Sequence, residues 1–429
     1  MIYKSARFNI IAALIAKILS MGVAVFSVPI LLGLLGQRDY GTWVTLTSLI
    51  VFIGLLNLGV GNSLQNSVAA MTPTSEESVR HEFVGFFQML CGIALIAVLV
   101  FAFLIPYAKL DAESHFAAWI LYTPLLLLLP LMIASNVLQG ARATGLQAVL
   151  QSMSTWLFFG FVLILFWSQK TPSLEVMALA WSGFYAIALL SIFFLGLRVL
   201  QLPISSLTKL SLTNFPKGRL KVGFEFFALQ LASLVLYGLG NSIIFSQLGP
   251  IEVARYDVLN KIFQVALSLY TIMIGVMWSE IAKARADADE IALARMLRML
   301  AGGAIFFAVA CLSIVFYVPL IIDQWTQHRI QVTRLEALSV AVLVAIQSLA
   351  YVGAVFMNAF EKIRPQIILA FFSIALMIPL AYFFISKDLG IISVPLAATL
   401  LTLLPMIACN IYAIRLVRSV VKTTGNYNA

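Results

Sequence analysis

Residues 83–107 read FVGFFQMLCGIALIAVLVFAFLIPY, a run of 25 positions without a charged side chain. As a helix, a run of that length spans the roughly 30 Å hydrocarbon core of a bilayer. With no water in that core, backbone groups must pair within the segment or around a closed barrel. Barrel strands appear as ~10-residue segments of alternating polarity, and this run is longer and does not alternate. It predicts a membrane helix, and similar runs recur along all 429 residues. Composition agrees. The chain is 62% hydrophobic and 10% charged, with a mean hydropathy of +1.01, whereas soluble domains carry about 25% charged residues.

Division at the polar breaks predicts an all-α polytopic membrane protein of twelve helices, near 8–36, 41–70, 83–107, 117–140, 147–168, 176–201, 222–248, 254–282, 297–322, 337–360, 366–386 and 391–416. With the N-terminus in the cytoplasm, 18 of the 27 Lys and Arg fall in inside segments, 7 outside and 2 within helices. Short cytoplasmic loops carry that excess, so both termini are expected in the cytoplasm. The net charge of +9 is then chiefly a topology signal, and no basic soluble domain offers itself to nucleic acid. The first apolar stretch is longer than a signal-peptide core and runs into a helix pair, so no cleavable leader is expected. Cys91, Cys311 and Cys409 lie in apolar helices as small hydrophobes, with no disulfide expected. His81, His115 and His328 lie on separate loops, and neither a metal nor a cofactor is expected.

A second pattern sets the domain organisation. LGQRDYGTW (35–43) returns as LGPIEVARY (248–256), so that Gly36 matches Gly249, Asp39 matches Glu252 and Trp43 matches Tyr256 at an offset of 213. In each copy the glycine is expected to end a helix in the left-handed conformation. The acid favours the positive end of the next helix dipole, and the aromatic is expected to anchor at the outer interface. Gln139, Gly140 and Gln147 match Asn358, Ala359 and Gln366 at an offset of 219. Two six-helix lobes are therefore expected, 1–201 and 222–416, with a cytoplasmic linker at 202–221 and a tail at 417–429. An even helix number per lobe keeps both in one orientation, related by a pseudo-two-fold axis along the membrane normal. Parallel repeats of this kind mark transporters, with the substrate path at the repeat interface.

LGQRDYGTW followed by NLGVGNSLQN, and LGPIEVARY followed by KIF and MWSEIAK, resemble the O-antigen and polysaccharide-unit flippases (Wzx type) of the multidrug/oligosaccharidyl-lipid/polysaccharide (MOP) exporter superfamily. The resemblance covers most of the chain and is strongest in helices one, two, seven and eight. It implies translocation of an undecaprenyl-pyrophosphate-linked oligosaccharide from the cytoplasmic to the periplasmic leaflet by alternating access of two lobes, with proton or other ion counter-transport as a candidate drive. The partners it implies are that lipid-linked glycan, membrane lipid, a polysaccharide polymerase and a chain-length regulator.

Ionisable and amide side chains inside membrane helices are functional candidates by default. Lys17 lies roughly 14 Å along the first helix at 1.5 Å per residue, where a cation suits a pyrophosphate or an acidic sugar. Its repeat mate is Gln230. Glu225, in VGFEFFALQ, is the candidate for proton exchange or, near the interface, a snorkelling acid. Asp257 and Lys261 share a helix face and can pair, for the transport cavity or for structure alone. In NLGVGNSLQN, Asn57 precedes Asn62, Gln65 and Asn66. The last three fall on one face, as sugar ligands or as interhelical glue beside Gly59 and Gly61. Asn241 and Gln347 read as lone packing amides, and Arg255 as an interfacial residue.

Alternatives remain within and beyond this class. A cation-coupled multidrug exporter or a lipid II flippase would share the fold. A membrane polysaccharide polymerase or glycosyltransferase would need a sizeable extramembrane site. The longest outside loop here is DQWTQHRIQVTRLE (323–336), and the D-x-D in RADADE (285–290) lies in a short inside loop. No catalytic residue is assigned, and no Walker motif is present for ATP.

Overall fold

In the computed structural model, residues 6–69, 71–108, 110–208, 227, 230–360, 362 and 364–425 are described. Glu225 and most of the 202–221 linker lie outside them. All regular secondary structure among the described residues is helical, with no strand, and the chain divides into two compact units, Met1–Phe227 and Ala228–Ala429.

The N-terminal unit comprises α1 (Ala6–Leu55), α2 (Val60–Ala69), α3 (Glu76–Leu104), α4 (Ala112–Leu127), α5 (Ile133–Gly140), α6 (Thr144–Trp167) and α7 (Leu174–Val199). The C-terminal unit comprises α8 (Gly240–Leu248), which continues a helical run at 230–238, then α9 (Pro250–Ala286), α10 (Glu290–Ile314), α11 (Val318–Trp325), α12 (Arg334–Ala359), α13 (Arg364–Ile385) and α14 (Ser393–Gly425). Among the described residues, nine helices are long and apolar enough to cross a membrane as they stand, and the bent pair Ala112–Leu127 and Leu129–Gly140 makes a tenth. One of the nine, Ile11–Leu55, is two arms joined at Gly36, and α9 carries its charges into a further crossing. Counted with the two arms of α1 and with α9, the described residues trace twelve helical paths.

Gly36 reverses the chain. Were α1 straight, Trp43 would stand ~51 Å beyond Asn9 at 1.5 Å per residue. Yet the Asn9 side chain accepts from Gly145 N, and Trp43 stacks on Phe158 with ring centroids 5.6 Å apart, only ~20 Å along α6 from Gly145. Gly249 does the same in the C-terminal unit. The backbone angles match, φ 73°, ψ 175° at Gly36 and φ 90°, ψ 174° at Gly249. This is not the left-handed cap expected from the sequence but a region essentially reserved for glycine. An added Cβ would meet nothing within 4 Å at either position, so backbone conformation rather than space demands the glycine. The aromatics that follow are core residues, not interface anchors: Trp43 is 3% and Tyr256 4% exposed.

The repeat extends well beyond the turns. Ile133, Ala134, Val137, Leu138 and Gly140 are buried, as are Val352, Gly353, Phe356, Met357 and Ala359, each 219 residues later. Ser154, Phe158 and Val162 of α6 correspond in the same way to Ser373, Met377 and Ala381 of α13. One polar contact repeats in register. Gln147 Nε2 donates to Ser135 Oγ at 2.8 Å, and Gln366 Nε2 to Ala354 O at 3.4 Å. Small residues allow close crossings where lipid supplies no hydrophobic drive. A Cβ on Gly196 would lie 2.8 Å from that of Ala134, and one on Gly353 2.5 Å from the backbone carbon of Cys409.

Candidate functional site

The C-terminal unit buries a charged cluster beside the Gly249 turn. Asn241 and Asp257 lie symmetrically about that turn, so the reversal places them opposite one another. Asn241 Nδ2 donates to Asp257 Oδ1 at 3.3 Å, and Lys261 Nζ to Asp257 Oδ2 at 2.5 Å. The Asp257 side chain is 11% exposed and that of Lys261 30%. Both carboxylate oxygens are engaged, the condition under which a charge inside a membrane protein is tolerated. Asn241 is therefore not the lone packing amide of the sequence reading. Its partner is sixteen positions away on another helix, and only the symmetry about Gly249 could have revealed it.

A second ionic group lies nearer the turn. Arg255 donates to Glu252 Oε2 and Glu336 Oε1, both at 2.7 Å, and to Gln331 O at 3.1 Å. Glu336 also closes a capping box with Thr333 at the start of α12. Arg255 thus ties α9 to α12. In the N-terminal unit, Arg38 stands 3.5 Å from Asp111, whose side chain caps α4.

The N-terminal unit holds instead a cavity of about 350 Å³. Its second helix breaks between Leu55 and Val60, where Leu58 and Gly59 take φ of 50° and 73°. Asn57 Oδ1 accepts from Gly59 N at 2.9 Å and closes the break. The fourth helix bends by 53° before α5. The two short segments after these breaks cross closely. A Cβ on Gly61 would collide with the Asn136 side chain, and one on Gly140 would lie 2.5 Å from Gln65 O. Asn57, Ser135, Asn136, Gln151 and Tyr185 line the cavity among Ile50, Val51, Met132 and Leu189. Gln147 Nε2 donates to both Ser135 Oγ and Gln151 Oε1.

The C-terminal unit has its own cavity of about 260 Å³, lined in part by Tyr237, Tyr351, Asn358, Gln366 and Thr402. Tyr237 and Thr402 hydroxyls lie 3.0 Å apart.

The residues expected from sequence are placed unevenly. Asp257 and Lys261 meet as predicted. Lys17 is exposed on the first arm of α1, and Gln230 is exposed at the start of the 230–238 helix. Gln65 is half-buried on α2, next to the α5 crossing. Asn62 and Asn66 lie on α2, but their side chains, like Glu225 as a whole, fall outside the described residues. Sequence reasoning missed the N-terminal cavity, whose signals were Asn57–Leu58–Gly59 as a turn former and the i, i+4 pair Gln147–Gln151.

No protein-family model matches the chain. Over 318 residues it is 24% identical to a Salmonella typhi protein named "Putative O-antigen transporter", covering 70% of this chain and 71% of that one. A Salmonella typhimurium protein of the same name is 21% identical over 323 residues, 66% of each. Among solved structures, the inward-facing conformation of a multidrug resistance MATE family transporter of the MOP superfamily superposes with a TM-score of 0.71 at 14% identity, covering 96% of this chain and 99% of that one. The lipid II flippase MurJ in an inward closed conformation gives a TM-score of 0.72 at 14% identity, covering 94% and 87%. The chain is a multi-pass membrane protein with the fold of the MOP-superfamily transporters, and the curated proteins it resembles carry the name of O-antigen transporters.

Proposed function

We propose that the protein is a flippase that moves undecaprenyl-pyrophosphate-linked oligosaccharide, an O-antigen or related repeat unit, from the cytoplasmic to the periplasmic leaflet of a bacterial inner membrane by alternating access. The observation that carries this reading is the similarity, over about two thirds of the chain, to two proteins named for O-antigen transport. Lys17 supports it. An exposed cation on a helix arm with no other charge from residue 8 to 36 offsets the cost of bringing a pyrophosphate into a low-dielectric path. A single ammonium also releases the headgroup more readily than a bidentate guanidinium. Asp257 and Lys261 form the charged element of the path in the C-terminal unit. Gln65, Asn62 and Asn66 serve sugar contacts on α2, with Gln230 as the polar mate of Lys17. Glu225 is the proton-exchange group on sequence grounds alone. A polymerase and a chain-length regulator would take up the product.

Deleting the gene in a strain lacking other flippases should abolish surface polysaccharide and leave lipid-linked repeat units in the inner leaflet. Normal display overturns the reading, and loss of drug efflux with display intact assigns the fold to drug export instead. Lys17→Ala should lose transport per membrane-inserted molecule at unchanged protein level, with partial retention in Lys17→Arg. Normal transport in Lys17→Ala removes it from the path. Cysteine labelling should find Ser114 and Ser168 outside and Ser205 and the C-terminus inside.

A further inference from the structure

We infer that the cavity of the N-terminal unit is a subsite for an uncharged pyranose ring of the glycan cargo, an inference that rests on the flippase reading above. Irregular backbone at membrane depth is tolerated where it lines a cavity, and interrupted helices build transporter binding sites. Two interrupted spans meet here, the break at 55–60 and the 53° bend before α5. At the equivalent places in the C-terminal unit, α9 and α12 run unbroken.

The lining selects among the three chemical parts of the cargo. Among the described residues no lining side chain is charged, so a pyrophosphate or an acidic sugar would find no counter-charge from them. A prenyl tail would offer no acceptor to the amide nitrogens of Asn57, Asn136 and Gln151, whose oxygens in Asn57 and Gln151 are already engaged. A neutral sugar suits both features. Its hydroxyls donate and accept, as do amides and the Ser135 and Tyr185 hydroxyls. Tyr185, stacked on Trp181 with centroids 5.3 Å apart, presents an aromatic body of the kind that covers the apolar face of a ring. The volume of about 350 Å³ lies within the ~300–1,000 Å³ of small-molecule sites. Exposed Gln151 and Val51 place an opening at the rim.

Binding of three probes to the full-length protein in nanodiscs tests this: undecaprenyl pyrophosphate, and the same lipid bearing a single N-acetylglucosamine or a single galactose. The wild type should hold at least one glycosylated lipid about tenfold more tightly than the bare one, as one to two hydrogen bonds provide. Gln151→Ala with Tyr185→Leu, the first at an exposed and the second at a half-buried position, should bind all three equally while keeping wild-type affinity for the bare lipid. If the double variant keeps the preference, the sugar is read elsewhere and the inference falls. Equal binding of all three by the wild type also overturns it and leaves the flippase reading intact. If the wild type binds none of them, the flippase reading fails and the inference with it.

Discussion

Val28, Val44 and Ser48 of the N-terminal unit occupy the register that Asn241, Asp257 and Lys261 occupy in the C-terminal unit, 213 residues on. Val28 is fully buried and Val44 6% exposed, so the N-terminal copy packs apolar side chains where the other holds an ion pair. Breaks follow the opposite pattern. The second and fourth helices are interrupted in the N-terminal unit, where the polar groups are amides and hydroxyls, and continuous in the C-terminal unit. The shared core register fixes the fold, and the polar positions differ freely around it. Unbroken helices hold a paired charge by i, i+4 geometry, whereas broken ones free backbone and side-chain groups to face a cavity.

The largest effect should come from cutting the ion pair. Lys261→Ala leaves Asp257 short of its cation and should cost roughly 3–5 kcal/mol, read as thermal unfolding in detergent. The combined change Asn241→Val, Asp257→Val and Lys261→Ser, which copies the N-terminal residues, should be neutral or stabilising by about 1–4 kcal/mol and still abolish transport. Transport surviving in that triple variant would make the cluster structural. Next comes the small-residue crossing. Overpacking costs about 1–3 kcal/mol, and Gly353→Ala, which meets backbone, should lie at the upper end. Gly196→Ala meets the Ala134 methyl at 2.8 Å and its backbone only at 3.4 Å and should lie below it, and the reverse order would break the parallel between the crossings. The turn glycines come third. Gly36→Ala and Gly249→Ala should each cost ~1–3 kcal/mol and by similar amounts, because neither site is crowded. A large difference would show that the two turns are not equivalent.

The smallest effect concerns pH. Asp111 caps α4, and its hydrogen bonds from Ser114, with a smaller contribution from Arg38, hold its carboxyl below the usual Asp value. A depressed folded pKa contributes stability above the unfolded value, and that contribution is lost as pH falls through the folded one. The matching cap in the C-terminal unit is Thr333, which does not titrate. Asp111→Thr should therefore flatten the acid limb of the stability profile below about pH 4 and leave neutral pH nearly unchanged. An unaltered acid limb would show that the cap carries no charge effect.

Much of this was legible in sequence. Apolar length gives the helices, and the glycine–acid–aromatic spacing marks both reversals. The breaks were not legible because hydropathy is blind to backbone pairing. Pro124 and Pro130 flank the bend before α5 in a run otherwise as apolar as any other, and the 55–60 break sits inside one continuous segment. Trp43 was misplaced because its partner, Phe158, is 115 positions away, and local sequence cannot tell an anchor from a core ring. The Asp257–Lys261 pair was visible as i, i+4, but its third member was not.

The reversal at Gly249 also bears on how the chain enters a bilayer during synthesis. The 230–248 stretch has a mean hydropathy of only 1.4, the lowest among the apolar spans. In α9, Glu252, Arg255, Asp257 and Lys261 lie within ten positions, and an Asp or Lys at the centre of a lone inserting helix costs about 2.5–3.5 kcal/mol. Neither helix is a strong membrane segment alone. A tight hairpin lets both leave the translocation channel together, with Asn241 already facing Asp257, so that the turn serves first as a device for partitioning and only later as part of a finished transporter.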